Sequence, residues 1–93
     1  MAYRILLVED DHNIREVISD YFSSKSDLQL TEAADGNEGL TQISENEFDL
    51  IMLDVMLPNI DGFSLCREIR RKSDIPVLFL TARAREEDVL YGY

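Results

Sequence analysis

The stretch DLIMLDVMLPNIDG, Asp49–Gly62, decides how this chain folds. Leu50 to Leu53 are apolar, Asp54 interrupts them, and Val55 resumes the run. Burying a carboxylate is costly unless something pairs with it. Asp54 therefore either ends a strand and faces water or is held by something that binds it. PNIDG, Pro58–Gly62, carries turn chemistry at both ends. Phe48–Leu53 reads as a strand, and Phe63–Lys72, with Phe63, Leu65, Cys66 and Ile69, reads as a helix. Its RRK end places cations at the negative end of the helix dipole.

The same alternation runs outward from this unit. Upstream, RILLV (Arg4–Val8) is a short apolar run suited to a strand buried on both faces. It is followed by Glu9, Asp10 and Asp11, then by Ile14, Val17, Ile18, Tyr21 and Phe22 at helical spacing. Asp11 or His12 falls at that helix's start, where a carboxylate suits both capping and the dipole. LQLTEA (Leu28–Ala33) alternates weakly as a second strand, Asp35-Gly36 is a turn, and Asn37–Glu45 is a weaker helix. Downstream, IPVLFLTA (Ile75–Ala82) is a fourth strand with Pro76 at its start, and REEDVLYGY begins a fourth helix. The resulting βαβαβαβα order predicts an α/β fold, a parallel sheet covered on both faces.

Composition narrows the function. The chain has 93 residues, with 45% hydrophobic and 30% charged content, which suits one small globular domain. Nineteen acidic residues against nine basic ones give a formal charge of -10, which disfavours direct nucleic-acid binding. It suits a cation site, a basic partner or simple solubility. A single cysteine, Cys66, excludes an internal disulfide and suits a reducing compartment. The apolar run near the N-terminus is too short to span a membrane and is followed by acids, so a cytoplasmic protein is expected.

Sites in doubly wound sheets lie at the carboxyl ends of the strands. Glu9, Asp10 and Asp11 fall after the first strand, Asp54 after the third and Thr81 after the fourth. If the first and third strands are neighbours, Glu9, Asp10 and Asp54 converge, and such a carboxylate group favours a proton or a divalent cation. An all-oxygen set with open positions suits Mg2+ or Mn2+. A hard cation beside a carboxylate is also what phosphoryl transfer requires, with the aspartate as nucleophile and a hydroxyl such as Thr81 bonding the new phosphoryl group. Taken singly, Asp11 reads as a cap, Thr81 as an ordinary strand residue, His12 as a surface residue and Cys66 as packing. The combination of acids and hydroxyl carries the functional reading.

These residues resemble the receiver domain of two-component response regulators. The resemblance rests on ILLVEDD with its acid pair, on DLIMLDVMLPNIDGF, and on IPVLFLTA ending in Thr-Ala, in that order and spacing. The LDVMLP and LTAR details are most similar to the OmpR/PhoB-like subfamily. The resemblance implies a flavodoxin-like (CheY-like) sheet of order 2-1-3-4-5, a known property of the family rather than something read from this chain. It implies Asp54 as the phosphoacceptor from a sensor histidine kinase, and Mg2+ held by Glu9, Asp10, Asp54 and the backbone carbonyl of Met56. Thr81 would be the switch hydroxyl and Ala82 its small neighbour, with Pro58 and Gly62 shaping the adjacent loop. Residues 1–93 would form a receiver domain incomplete at its C-terminus, in order 2-1-3-4, without the family's fifth strand, fifth helix and active-site lysine.

The resemblance further implies a transcriptional regulator whose DNA-binding output domain lies outside these residues. The exposed fourth strand would favour a homodimer or segment-swapped association. A Mg2+-dependent phosphatase or mutase with an aspartyl-phosphate intermediate is the rival reading. The haloacid-dehalogenase pattern wants a second Asp two residues after the nucleophile, where Met56 stands.

Overall fold

The computed structural model describes residues 2–57 and 60–80. Thr81, Ala82, Pro58 and the expected fourth helix lie outside the described residues. Seven elements alternate: β1 (Tyr3–Val8), α1 (His12–Ser23), β2 (Leu28–Ala33), α2 (Gly36–Glu45), β3 (Leu50–Asp54), α3 (Gly62–Lys72) and β4 (Val77–Leu80). The strands form one parallel sheet of order β2-β1-β3-β4, as expected. Register pairs Val8 with Ala33 and Leu53, so the C-terminal ends of β1, β2 and β3 lie side by side.

Each helix starts on an aspartate. Asp11 Oδ1 accepts from the amides of Asn13 and Ile14. Asp35 caps α2 through the Glu38 amide, and Glu38 reaches back to the Ala34 amide. Asp61 caps α3 through the Ser64 amide. These side chains satisfy N–H groups that the first turn leaves without intrahelical partners.

One sheet face carries the main core. Leu6 and Val8 of β1 and Ile51 and Leu53 of β3 pack there with Ile43 of α2 and Leu65 and Ile69 of α3. Ile5 and Leu7 are also buried but point to the opposite face, because successive strand residues alternate. Right-handed crossovers that run in opposite directions from β1 place α1 on that opposite face.

Several expectations need correcting, among them the start of the fourth strand, which is Val77 rather than Ile75. The third strand spans Leu50–Asp54 rather than Phe48–Leu53. Phe48 precedes it and packs into the core, which makes it look like a strand residue in sequence. Asp54 is the last residue of the strand, and it does not face water: it is fully buried. The apolar stripe of α1 is only partly covered, with Val17 69% and Tyr21 62% exposed. Phe63, expected on the core face of α3, is exposed and leans against Phe79, with ring centroids 4.9 Å apart.

Gly62 decides how closely α3 starts behind β3. A Cβ there would press into the Asp54 carbonyl oxygen and lie 2.7 Å from Val55 Cα. Its N–H donates to the Val55 carbonyl at 3.0 Å. Only a glycine allows that approach, which folds the β3–α3 loop back over the end of β3.

Candidate functional site: a buried carboxylate cluster at the strand ends

Glu9 follows β1 directly, and its N–H continues the ladder by donating to the Ala33 carbonyl at 3.0 Å. Its side chain is fully buried, which the sequence did not indicate. Oε2 accepts from the Asp11 amide at 3.0 Å, while Oε1 has no hydrogen-bond partner among the described residues. Asp54 mirrors it across the β1–β3 pair. Its Oδ1 accepts from the Met56 amide at 3.0 Å, and its buried Oδ2 has no partner among the described residues. Asp10 is half-buried and supplies a third carboxylate. One oxygen from each of Glu9, Asp10 and Asp54 lies within 4.8 Å of the others.

This arrangement is electrostatically expensive. Burial pushes the Glu9 carboxyl up to about 7, and the neighbouring Asp54 and Asp10 carboxylates add to the rise, while the Asp11 amide opposes it. Two buried oxygens without partners among the described residues and three carboxylates within reach of one point form a site that the described residues leave incomplete. These oxygen donors could hold a hard divalent cation, whose positive charge would offset the crowded like charges. The donor set fits Mg2+ and lacks the sulfur and imidazole ligands that zinc prefers.

The structure brings Glu9, Asp10 and Asp54 together, as expected. Met56 lies two residues beyond Asp54 with its amide bound to that carboxylate. Thr81 lies outside the described residues. Asp11 is the N-cap of α1, so the capping reading holds for it. His12 is exposed, and Cys66 packs against the core. The sequence reading missed Arg15, whose Nη1 donates to the Glu9 carbonyl at 2.7 Å. Its spacing of four residues from Asp11, on the side of Ile18 and Phe22, is the only signal that would have turned it inward.

Comparison with known proteins agrees with this geometry. The family model for the response regulator receiver domain matches residues 5–93. The chain belongs to the response regulator receiver family. The transcriptional regulatory protein AfsQ1 of Streptomyces coelicolor is 44% identical over 88 residues, covering 95% of this chain and 39% of AfsQ1. The transcriptional regulatory protein BaeR of Escherichia coli is 44% identical over 89 residues, covering 96% of this chain and 37% of BaeR. Both are OmpR/PhoB-type regulators, in line with the subfamily that the sequence resembles. The chain thus spans about two fifths of the length of these relatives. Among solved structures, the chemotaxis response regulator CheY4 of Vibrio cholerae superposes with a TM-score of 0.83 at 30% identity, covering 94% of this chain and 74% of that one. The receiver fold is therefore flavodoxin-like, with the sheet order 2-1-3-4 seen here.

Proposed function

We propose that this receiver domain accepts a phosphoryl group on Asp54 from the phosphohistidine of a sensor histidine kinase. The observation that carries this reading is the pair of buried oxygens without a partner among the described residues, Glu9 Oε1 and Asp54 Oδ2, within the three-carboxylate cluster. A carboxylate oxygen of Asp54 attacks phosphorus, the P–N bond to the donor imidazole breaks, and the imidazole takes a proton as it leaves. The products are an aspartyl phosphate and neutral histidine. The Met56 amide fixes the Asp54 carboxylate in rotation, so its approach to the phosphorus is set before the donor arrives.

Glu9, Asp10, Asp54 and the backbone carbonyl of Met56 are the groups that would hold Mg2+. When bound there, the ion would offset the charge of the phosphoryl oxygens against the acidic cluster. Thr81 is assigned the hydroxyl that meets the phosphoryl group, on the strength of its place after β4. New charge at Asp54 then shifts a two-state equilibrium of the surrounding surface, which an output domain reads as transcriptional control.

On this reading the domain is a signalling phosphoacceptor rather than a turnover enzyme. It works in the cytoplasm beside the kinase's catalytic domain, and among the described residues no helix is long and apolar enough to cross a membrane. A second copy of the chain is a further partner. It is supported by β4 being an edge strand among the described residues, with Leu78 half-exposed.

A phosphotransfer assay tests the whole. Radiolabel should pass from a phosphorylated histidine kinase to the wild-type chain with Mg2+ and not with EDTA. The domain should release no phosphate from added phosphomonoesters. Sustained turnover of such a substrate would favour a phosphatase and overturn the reading.

A further inference from the structure

Glu9 is held from three directions. Its N–H is fixed by β2 through Ala33, and its Oε2 is fixed by the Asp11 amide. Its carbonyl lies just past the end of β1, where the sheet ladder has ended, and a buried carbonyl needs a partner. Arg15 supplies it: Nη1 donates to that oxygen at 2.7 Å, a charge-assisted bond. The Arg15 side chain is only 16% exposed. Its Nε faces Glu32 Oε1 of β2 at 3.4 Å, and its Nη2 lies 3.5 Å from His12 Nδ1. One planar fork thus joins α1, the β1 end and β2, and a lysine cannot reproduce two of those contacts at once.

The peptide bond gives this contact its reach. The Glu9 carbonyl and the Asp10 amide belong to one rigid plane. Holding that carbonyl sets the plane, and the Glu9 and Asp10 side chains leave from its two ends. Two of the three carboxylates in the cluster are therefore spaced by a contact made to the peptide that joins them. The Glu32 carboxylate is more than a third exposed and meets Nε at 3.4 Å, so solvent screens that pair, whereas the carbonyl bond is short and made at the buried strand end.

We propose that Arg15 is a positioning residue for the acidic site, acting through the Glu9 carbonyl to set the spacing of the Glu9 and Asp10 carboxylates. The inference rests on the reading of that cluster as a Mg2+ site. It is tested by titrating Mg2+ into the full chain and following the Asp10 and Met56 amide signals by 15N–1H NMR, with thermal unfolding in EDTA alongside. Arg15→Met should weaken Mg2+ binding about 10-fold or more, the scale on which loss of a partner behind a metal ligand acts. Arg15→Lys, which keeps one donor, should fall between Arg15→Met and wild type. Glu32→Gln, which leaves the carbonyl bond in place, should bind like wild type. If Arg15→Met does not fold, weaker binding by Arg15→Lys at unchanged unfolding temperature supports the proposal. Lower unfolding temperature with unchanged Mg2+ affinity in the Arg15 variants would overturn it and leave a structural role. Equal losses in Glu32→Gln and Arg15→Met would overturn the route through the carbonyl. A wild-type chain that binds no Mg2+ would instead overturn the metal-site reading, and this inference with it.

Discussion

Replacing Glu9 by glutamine should stabilise the Mg2+-free domain at neutral and alkaline pH while removing its metal site. The Glu9 carboxyl is pushed up from 4.5 to about 7, mainly by burial and then by Asp54 and Asp10. A folded-state value above the unfolded one means that the native chain holds the extra proton between those two pH values. Stability is then lost as pH rises from about 4.5 through about 7 and is level beyond either limit. At about 1.36 kcal/mol per pH unit, the loss is at most roughly 3 kcal/mol, a ceiling because water penetration relaxes a buried charge. In a domain of this size it corresponds to an unfolding temperature lower by up to roughly 10–20 °C. Glutamine has the same shape, cannot ionise, and can still accept from the Asp11 amide while its NH2 group offers a donor to Asp54.

The assay is thermal unfolding of both chains in EDTA across that pH range. Taking the difference between them cancels the common effect of the other carboxylates. Wild type should fall behind Glu9→Gln as pH rises, and Mg2+ should restore wild type alone. Parallel curves, or wild type gaining on the variant with rising pH, would refute the reasoning.

Other outcomes follow from the same contacts. Gly62→Ala places a Cβ against the Asp54 carbonyl oxygen and Val55 Cα, backbone atoms that cannot swing aside. It should destabilise the fold by about 1–3 kcal/mol or more in urea unfolding and weaken Mg2+ binding by displacing Asp54. Leu65→Ala empties a fully buried position between α3 and the sheet and should cost about 2–5 kcal/mol in the same assay. Asp61, the α3 cap, has its carboxyl held below the usual value chiefly by the Ser64 amide. Its stabilisation is present above the ordinary carboxylate range and lost as pH falls through the lowered value. Asp61→Ala should therefore lower the unfolding temperature near neutral pH, with the difference from wild type closing in acid.

Most of the fold was legible because its elements differ in period. ILLV and LIML are continuous apolar runs, while Leu40 and Ile43 in α2 and Leu65 and Ile69 in α3 fall at helical spacing, and each helix begins beside an aspartate. Phe48 misled because an aromatic that plugs the core beside a strand cannot be told in sequence from a strand residue. Val17 and Tyr21 misled because amphipathic spacing shows that a face is apolar, not how much covers it.

The site was legible by residue type and position: the acids at two adjacent strand ends were found. Burial was not, since Glu9 reads as a loop acid until the β1–β2 ladder is seen to continue through its amide. The orphaned oxygens and the Arg15 contact are properties of tertiary geometry. An arginine early in an amphipathic helix ordinarily points to solvent, so its place on the side of Ile18 and Phe22 hints that it turns inward but does not mark the Glu9 carbonyl as its partner.

The most direct test of the central claim is the site of phosphorylation. The chain would be incubated with a phosphorylated histidine kinase and Mg2+, and the modified residue mapped by tandem mass spectrometry under conditions that preserve acyl phosphates. One phosphoryl group on Asp54, absent with EDTA and absent in a folded Asp54→Asn chain, is the predicted result. A phosphoryl group on another residue, or undiminished labelling of Asp54→Asn, would contradict the assignment of Asp54 as the acceptor.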